Sequence, residues 1–196
     1  NGGLVPAYAT AAGGASTEVE PPKPKRRSDR LTSPEDPNRQ VSREEFDDML
    51  ALLRQGFHVA HVDVVSMLGC DAALDIMDGF YARLTNAFNL AARPAMEGVS
   101  RGGLHAYRYA ARHPERVACI YCDTPVLCLA SWPLGWPGSK KEAQEAIRFY
   151  GLKDEDALFS FKGNPIDLLA PIAKARIPLR HVIALDDKVV PPEENT

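Results

Sequence analysis

From residue 57 to residue 185 short apolar runs alternate with longer stretches of helical period, and this alternation restricts the fold more than any other feature of the chain. FHVAHVDVV, residues 57–65, is apolar on both parities and predicts a strand covered on both faces, as in a parallel sheet. Asp71 stands where it would cap a helix whose apolar stripe runs Ala73, Met77, Phe80, Tyr81, Leu84 and Phe88. Pro94 interrupts, and PAMEGV, residues 94–99, predicts a second short buried strand. Residues 101–113 then read as a helix ended by Pro114, 116–122 as a strand, 165–175 as a helix and 178–185 as a strand. Residues 124–163 are mixed, with a helical patch around 140–150. Strands separated by helices imply βαβ units, hence an α/β fold with a mostly parallel, doubly wound sheet.

Residues 1–41 follow different rules. They hold the pairs Gly2-Gly3 and Gly13-Gly14, prolines at 21, 22, 24, 34 and 37, and almost no large apolar side chains. Such a segment buries too little surface to offset its ordering entropy, so it is expected to be disordered or loosely attached and to contain no strand. Its basic cluster, Lys23, Lys25, Arg26, Arg27 and Arg30, fits a solvated linker better than a localisation signal or a polyanion contact. Order is expected from Ser42, which with Glu45 fits a capping box ahead of Phe46, Met49, Leu50 and Leu53, with Gly56 as the stop. Residues 42–196 are thus expected to form one domain.

Composition narrows the function classes. A net charge of −3 on 196 residues gives no general attraction to nucleic acid or anionic lipid, and no apolar run is long enough to span a bilayer. The chain opens on Asn rather than Met, no signal peptide is visible, and the compartment stays open. Of the cysteines, Cys119 and Cys122 have a CxxC spacing, but they fall in the apolar run RVACIYCDTPV. Residues three apart on a strand face opposite sides, so a shared metal is not expected, and Cys70, Cys119, Cys122 and Cys128 read as structural.

The chemistry is concentrated in Glu97-Gly98-Val99-Ser100-Arg101-Gly102-Gly103. A serine at a tight strand-to-helix turn takes a strained backbone, and side chains two places before and after it would strike the neighbouring backbone. Gly98 and Gly102 occupy those places. The turn lifts the Ser100 hydroxyl toward substrate and leaves the Arg101 N–H at a helix N-terminus, where it can stabilise an oxyanion. Gly102, Gly103, Ala106, Ala110 and Ala111 would let the following helix pack closely on a sheet.

With these residues the chain resembles the α/β-hydrolase superfamily of serine hydrolases from about residue 43 onward. Gly98-Val99-Ser100-Arg101-Gly102 resembles the nucleophile elbow of that family, and Ala111-Arg112-His113-Pro114-Glu115-Arg116-Val117 its helix-to-strand link. Asp187-Lys188-Val189-Val190-Pro191 resembles the turn that carries the triad acid. The stretch from PAMEGVSRGGL to KGNPIDLL is similar to the prolyl-oligopeptidase-like and carbohydrate-esterase-like branches. The resemblance implies Ser100 as nucleophile and Asp187 as acid, with Asp123 the alternative acid. It implies residues 124–163 as a cap insertion, in which Trp132 and Trp136 could wall a substrate pocket or simply pack the cap. It further implies a small-molecule or carbohydrate-linked ester substrate, with no metal and no organic cofactor.

The family's histidine follows its acid, after one more strand. Here His58, His61, His105, His113 and His181 all precede Asp187, and none has the family position. The family also has several strands, and a loop donating a second oxyanion N–H, ahead of the first helix. The resemblance is therefore to a domain incomplete at both ends. Two expectations stand side by side: an esterase that forms an acyl-enzyme on Ser100, with its histidine beyond Thr196, or an inactive remnant or binding domain of the same fold.

Overall fold

The computed structural model describes residues 5–10, 43–64, 67–135 and 137–195. Five strands form one sheet in the order β2-β1-β3-β4-β5: β1 (Val5–Thr10), β2 (Phe57–Val62), β3 (Ala95–Val99), β4 (Cys119–Asp123) and β5 (Leu179–Val182). β3, β4 and β5 are parallel and in register, so that Val99, Asp123 and Val182 line up at their carboxyl ends. β1 runs antiparallel to both of its neighbours, which leaves β2 pointing the same way as β3. The fold is thus α/β with a sheet of mostly parallel direction, interrupted by one reversed strand.

Three expectations are corrected here. Residues 1–41 do contain a strand: β1 spans Val5–Thr10 and sits inside the sheet. A short run of Val, Ala, Tyr and Thr between glycine pairs has little apolar mass of its own, and its pairing with β2 and β3 supplies what its sequence lacks. The rest of that segment, with its basic cluster, lies outside the described residues, as does Ser42. The strand at 57–65 is shorter, ending at Val62, and it is an edge strand with His58 and His61 exposed, so it is not covered on both faces. Asp71 does not cap the second helix; Cys70 holds the cap position without a side-chain hydrogen bond, and Asp71 instead pairs with Arg108 at 3.2 Å.

The helices are α1 (Arg43–Arg54), α2 (Asp71–Ala87), α3 (Gly102–Arg112), α4 (Lys140–Phe149), α5 (Glu155–Phe159) and α6 (Leu169–Lys174). The stretch expected as one helix at 165–175 divides into a 3-10 turn, Pro165–Leu168, followed by α6. α3 is the central helix. All of its residues from Gly102 to Ala110 are buried except Arg108, which is half-buried. Its small residues permit this: a Cβ on Gly103 would lie 2.6 Å from the Cβ of Pro125. The core on this side of the sheet joins Met96, Ile120 and Cys122 to Ala73, Leu74 and Met77 of α2, Ala106 and Ala110 of α3 and Ile172 of α6. The end of the α2 stripe departs from expectation, with Phe88 58% exposed. On the opposite face lie Glu97, Val99, Tyr121 and Asp123, and there Asp48 of α1 comes near enough to Tyr121 to bias its ionisation. Cys122 is buried within the first face while its neighbour Cys119 points to the other, and all four cysteines are free.

Residues 124–163 build a second apolar cluster over the carboxyl edge of the sheet. Val126, Leu129, Ala143, Ala146 and Leu158 pack there with Leu68, Leu104 and Val190. Ser139 caps α4 by accepting from the Glu142 N–H at 3.3 Å, and Asp154 caps α5 by accepting from the Ala157 N–H at 2.9 Å. The far end of α3 is pinned to α2 through Asp78, which meets His113 at 2.9 Å and Arg116 at 2.7 Å.

Candidate functional site

β3 ends at Val99 and α3 begins at Gly102, so the chain must turn from sheet to helix within Ser100 and Arg101. It does so by placing Ser100 at φ +51°. An L-residue pays roughly 1–2 kcal/mol to sit in that left-handed region, so the surroundings must hold it there. They do: the Ser100 N–H donates to the Asp123 carbonyl at 2.9 Å, and the Ser100 carbonyl accepts from the Val126 N–H at 2.9 Å and the Gly103 N–H at 3.1 Å. The turn is tight enough to forbid a side chain at 98, where a Cβ would lie 2.7 Å from the Gly102 carbonyl carbon and 2.8 Å from its oxygen. Gly98 and Gly102 are therefore in backbone contact across the turn. Ser100 itself is partly exposed.

The first helical amides complete the turn. The Gly103 and Leu104 N–H groups find the Ser100 and Arg101 carbonyls, whereas among the described residues the Arg101 and Gly102 N–H groups donate to no acceptor. Such unpaired amides at a helix start carry partial positive charge beside Ser100. The Arg101 side chain folds the other way. Its guanidinium, 10% exposed, pairs with Glu142 of α4 at 3.0 Å and lies 5.8 Å over the Trp132 ring. Trp132 is thus beside the turn, packed against the second cluster. Trp136 lies outside the described residues.

Asp187 reaches the same edge by another route. β5 ends at Val182, level with Val99, and the chain turns at 184–187, where the Asp187 N–H donates to the Ala184 carbonyl at 3.1 Å. One carboxylate oxygen, Oδ1, accepts from the Val189 N–H at 2.7 Å and the Val190 N–H at 3.0 Å. The other, Oδ2, accepts no hydrogen bond among the described residues. Ser100 and Asp187 therefore lie at the carboxyl edge of three adjacent parallel strands, with β4 between theirs. This is the edge at which open α/β sheets bind ligands. A shallow crevice at this edge is lined by Thr124, Pro125, Ile183, Ala184, Val190 and Asn195, residues that follow β4 and β5; neither Ser100 nor Asp187 lines it. Asp123 is differently placed. Its carbonyl serves Ser100, but its side chain shares the far face of the sheet with Glu97, whose carboxyl is raised above the ordinary range by burial and then by the Asp123 charge.

None of the histidines completes the set. His105, 1% exposed, has both ring nitrogens engaged: Nε2 accepts from the Gly69 N–H at 3.0 Å, so Nδ1 carries the proton toward the Arg101 carbonyl at 3.3 Å. Burial holds its pKa at about 4, so the imidazole is neutral and fixed. His181 is hydrogen-bonded to the Tyr107 hydroxyl at 2.6 Å on the α3 face, within β5 rather than in a loop past the carboxyl ends of the strands. His113 is at the far end of α3, and His58 and His61 are on the edge strand β2.

Several residues at this edge carry no sequence signature. Asn195, 1% exposed, ties the end of the Asp187 loop to residues 127–131, and Glu142 closes on Arg101 across a long stretch of chain. Asn164 carries a local signal, since an Asn followed by Pro165 and by Asp167 three places on is a helix-start pattern, and it forms a capping box. Among the described residues no group of His, Cys, Asp and Glu could hold a metal ion. Compared with known protein families, with curated proteins and with solved structures, the chain matches none.

Proposed function

We propose that the chain carries the nucleophile and acid of an α/β-hydrolase-type serine hydrolase, an esterase acting through an acyl-enzyme on Ser100. The observation that carries this reading is the strained φ of +51° at Ser100, held by three backbone hydrogen bonds at the tip of a parallel strand. Residues held in that region cluster at functional sites, and Ser100 is partly exposed there, whereas Leu68 takes φ +52° while fully buried. In the proposed reaction Ser100 Oγ attacks an ester carbonyl and its proton passes to a histidine that follows Thr196; the ester C–O bond then breaks, the alcohol leaves with that proton, and water activated by the same histidine hydrolyses the acyl-serine. Asp187 Oδ2 accepts the N–H of that imidazole and fixes its tautomer, and the Arg101 N–H donates to the oxyanion. Residues 124–163 cap the site, Trp132 stands at its wall, and the substrate is a small-molecule or carbohydrate-linked ester. The reaction needs neither metal nor organic cofactor.

A second reading, a non-catalytic domain of the same fold, is favoured by one observation: the buried histidine nearest the turn, His105, is neutral and spends both nitrogens on backbone groups. Chemical rescue separates the two. A serine without a base is a poor nucleophile, and free imidazole can stand in for a missing histidine. The hydrolase reading expects a fluorophosphonate probe to label Ser100 of the folded chain at a rate that rises with added imidazole, and to leave Ser100→Ala unlabelled. Labelling no faster than that of the urea-unfolded chain would leave the non-catalytic reading standing.

A further inference from the structure

We propose that Asn195 is a positioning residue that latches the Asp187 turn to the segment supporting Ser100. For its catalytic meaning this rests on the hydrolase reading; the latch itself does not. The Asn195 side chain makes four hydrogen bonds from a site that is 1% exposed. Its Oδ1 accepts from the Leu127 N–H at 2.8 Å and the Cys128 N–H at 3.1 Å. Its Nδ2 donates to the Ser131 hydroxyl at 2.7 Å and the Pro191 carbonyl at 2.8 Å. Both donors and both lone pairs of the amide are thereby directed at two segments, residues 127–131 and Pro191.

Those segments are the ones that matter at the edge. Residues 126–131 are irregular and largely buried, so their amides need side-chain acceptors. Val126 N–H serves the Ser100 carbonyl, Leu127 and Cys128 N–H go to Asn195, and Leu129 N–H goes to Asn164 Oδ1 at 2.9 Å. On the other side, Pro191 directly follows Val190, whose N–H with that of Val189 holds Asp187 Oδ1. An unbroken path of hydrogen bonds and short covalent links therefore runs from the Ser100 carbonyl through Asn195 to the Asp187 carboxylate. β5 itself fixes only where the strand ends; past it, the turn is anchored by the buried Val190 side chain and by the Asn195 amide.

Amide hydrogen exchange on the 196-residue chain tests the latch, because its two halves separate by substitution. Asn195→Ala removes both. Exchange should rise about tenfold or more at Leu127 and Cys128, and also at Val189 and Val190, which bond Asp187 and not Asn195. Core amides at Ile120 and Cys122 should keep their protection. Asn195→Asp keeps the acceptor and loses the donor, so Leu127 and Cys128 should stay protected while Val189 and Val190 loosen as in the alanine variant. Wild-type protection at Val189 and Val190 in both variants would overturn the proposal. So would loss of core protection in both, which would make Asn195 a determinant of the fold instead of the turn. For the catalytic meaning, the imidazole-dependent part of Ser100 labelling should fall several-fold more in Asn195→Ala than the imidazole-independent part. If the wild-type chain shows no imidazole-dependent labelling, the hydrolase reading fails and the exchange data alone decide the latch.

Discussion

A Cβ on Gly98 would meet the Gly102 carbonyl carbon at 2.7 Å, the Gly102 oxygen at 2.8 Å and the Gly103 nitrogen at 2.9 Å, all backbone atoms that cannot rotate away. Gly98→Ala should therefore destabilise the chain by about 1–3 kcal/mol in urea or thermal unfolding, a cost of overpacking that a surface alanine would not incur. Ser100 makes the opposite prediction. Its φ of +51° is unfavourable for serine and neutral for glycine, so Ser100→Gly should stabilise by about 0.5–1 kcal/mol while removing the hydroxyl. A loss of stability in that variant would show that the serine is not strained. These positions were legible in the sequence because the requirement is local: glycine, serine and glycine at alternate places between a strand and a helix have few other uses. Asn195 was not legible, since its partners at Leu127, Cys128 and Ser131 are far away in sequence and an isolated asparagine has no pattern.

Elements were legible in proportion to their own apolar content. β3, α3 and α4 lie within a few residues of where their periodicity put them, because each buries its own stripe or run. β1 was missed because six residues rich in alanine form a strand only by pairing on both sides. Asp71 was misread because a cap and an ion-pair partner look alike in sequence, and only the fold brings Arg108 to it. The docking of α4 on the turn is a further case of tertiary chemistry without a local signal. Arg101 and Glu142 pair at 3.0 Å with side chains 10% and 18% exposed, and one Glu142 oxygen is buried without a partner. Breaking a buried pair leaves an uncompensated charge, so Glu142→Gln should cost about 3 kcal/mol, whereas the double change Arg101→Met with Glu142→Leu should recover most of that loss. If Glu142→Gln unfolds at the wild-type midpoint, the pair does not hold α4 on the turn.

At the scale of the whole molecule, the buried histidines set how stability depends on pH. Folded, His105 refuses a proton down to about 4, because burial disfavours its charged form; unfolded, it takes one near 6.5. As pH falls through that window the unfolded chain binds more protons than the folded chain, so stability present above 6.5 is lost toward 4, by about 3 kcal/mol. His181, lowered by burial, acts in the same direction, and Glu97, raised by burial and by Asp123, acts in the opposite one. Unfolding free energies of wild type and His105→Gln should accordingly converge as the pH is lowered from 7 to 4; parallel curves would mean that His105 is not neutral when folded. The fold as a whole brings Ser100, the open Arg101 amide and the Asp187 turn to one edge of three parallel strands. That convergence is tested most directly by a crystal structure of the chain after reaction with a fluorophosphonate in the presence of imidazole. An adduct is expected on Ser100 Oγ, with its phosphonyl oxygen about 2.7–3.1 Å from the Arg101 nitrogen. An adduct on another residue, or one on Ser100 with its oxygen turned away from that amide, would contradict it.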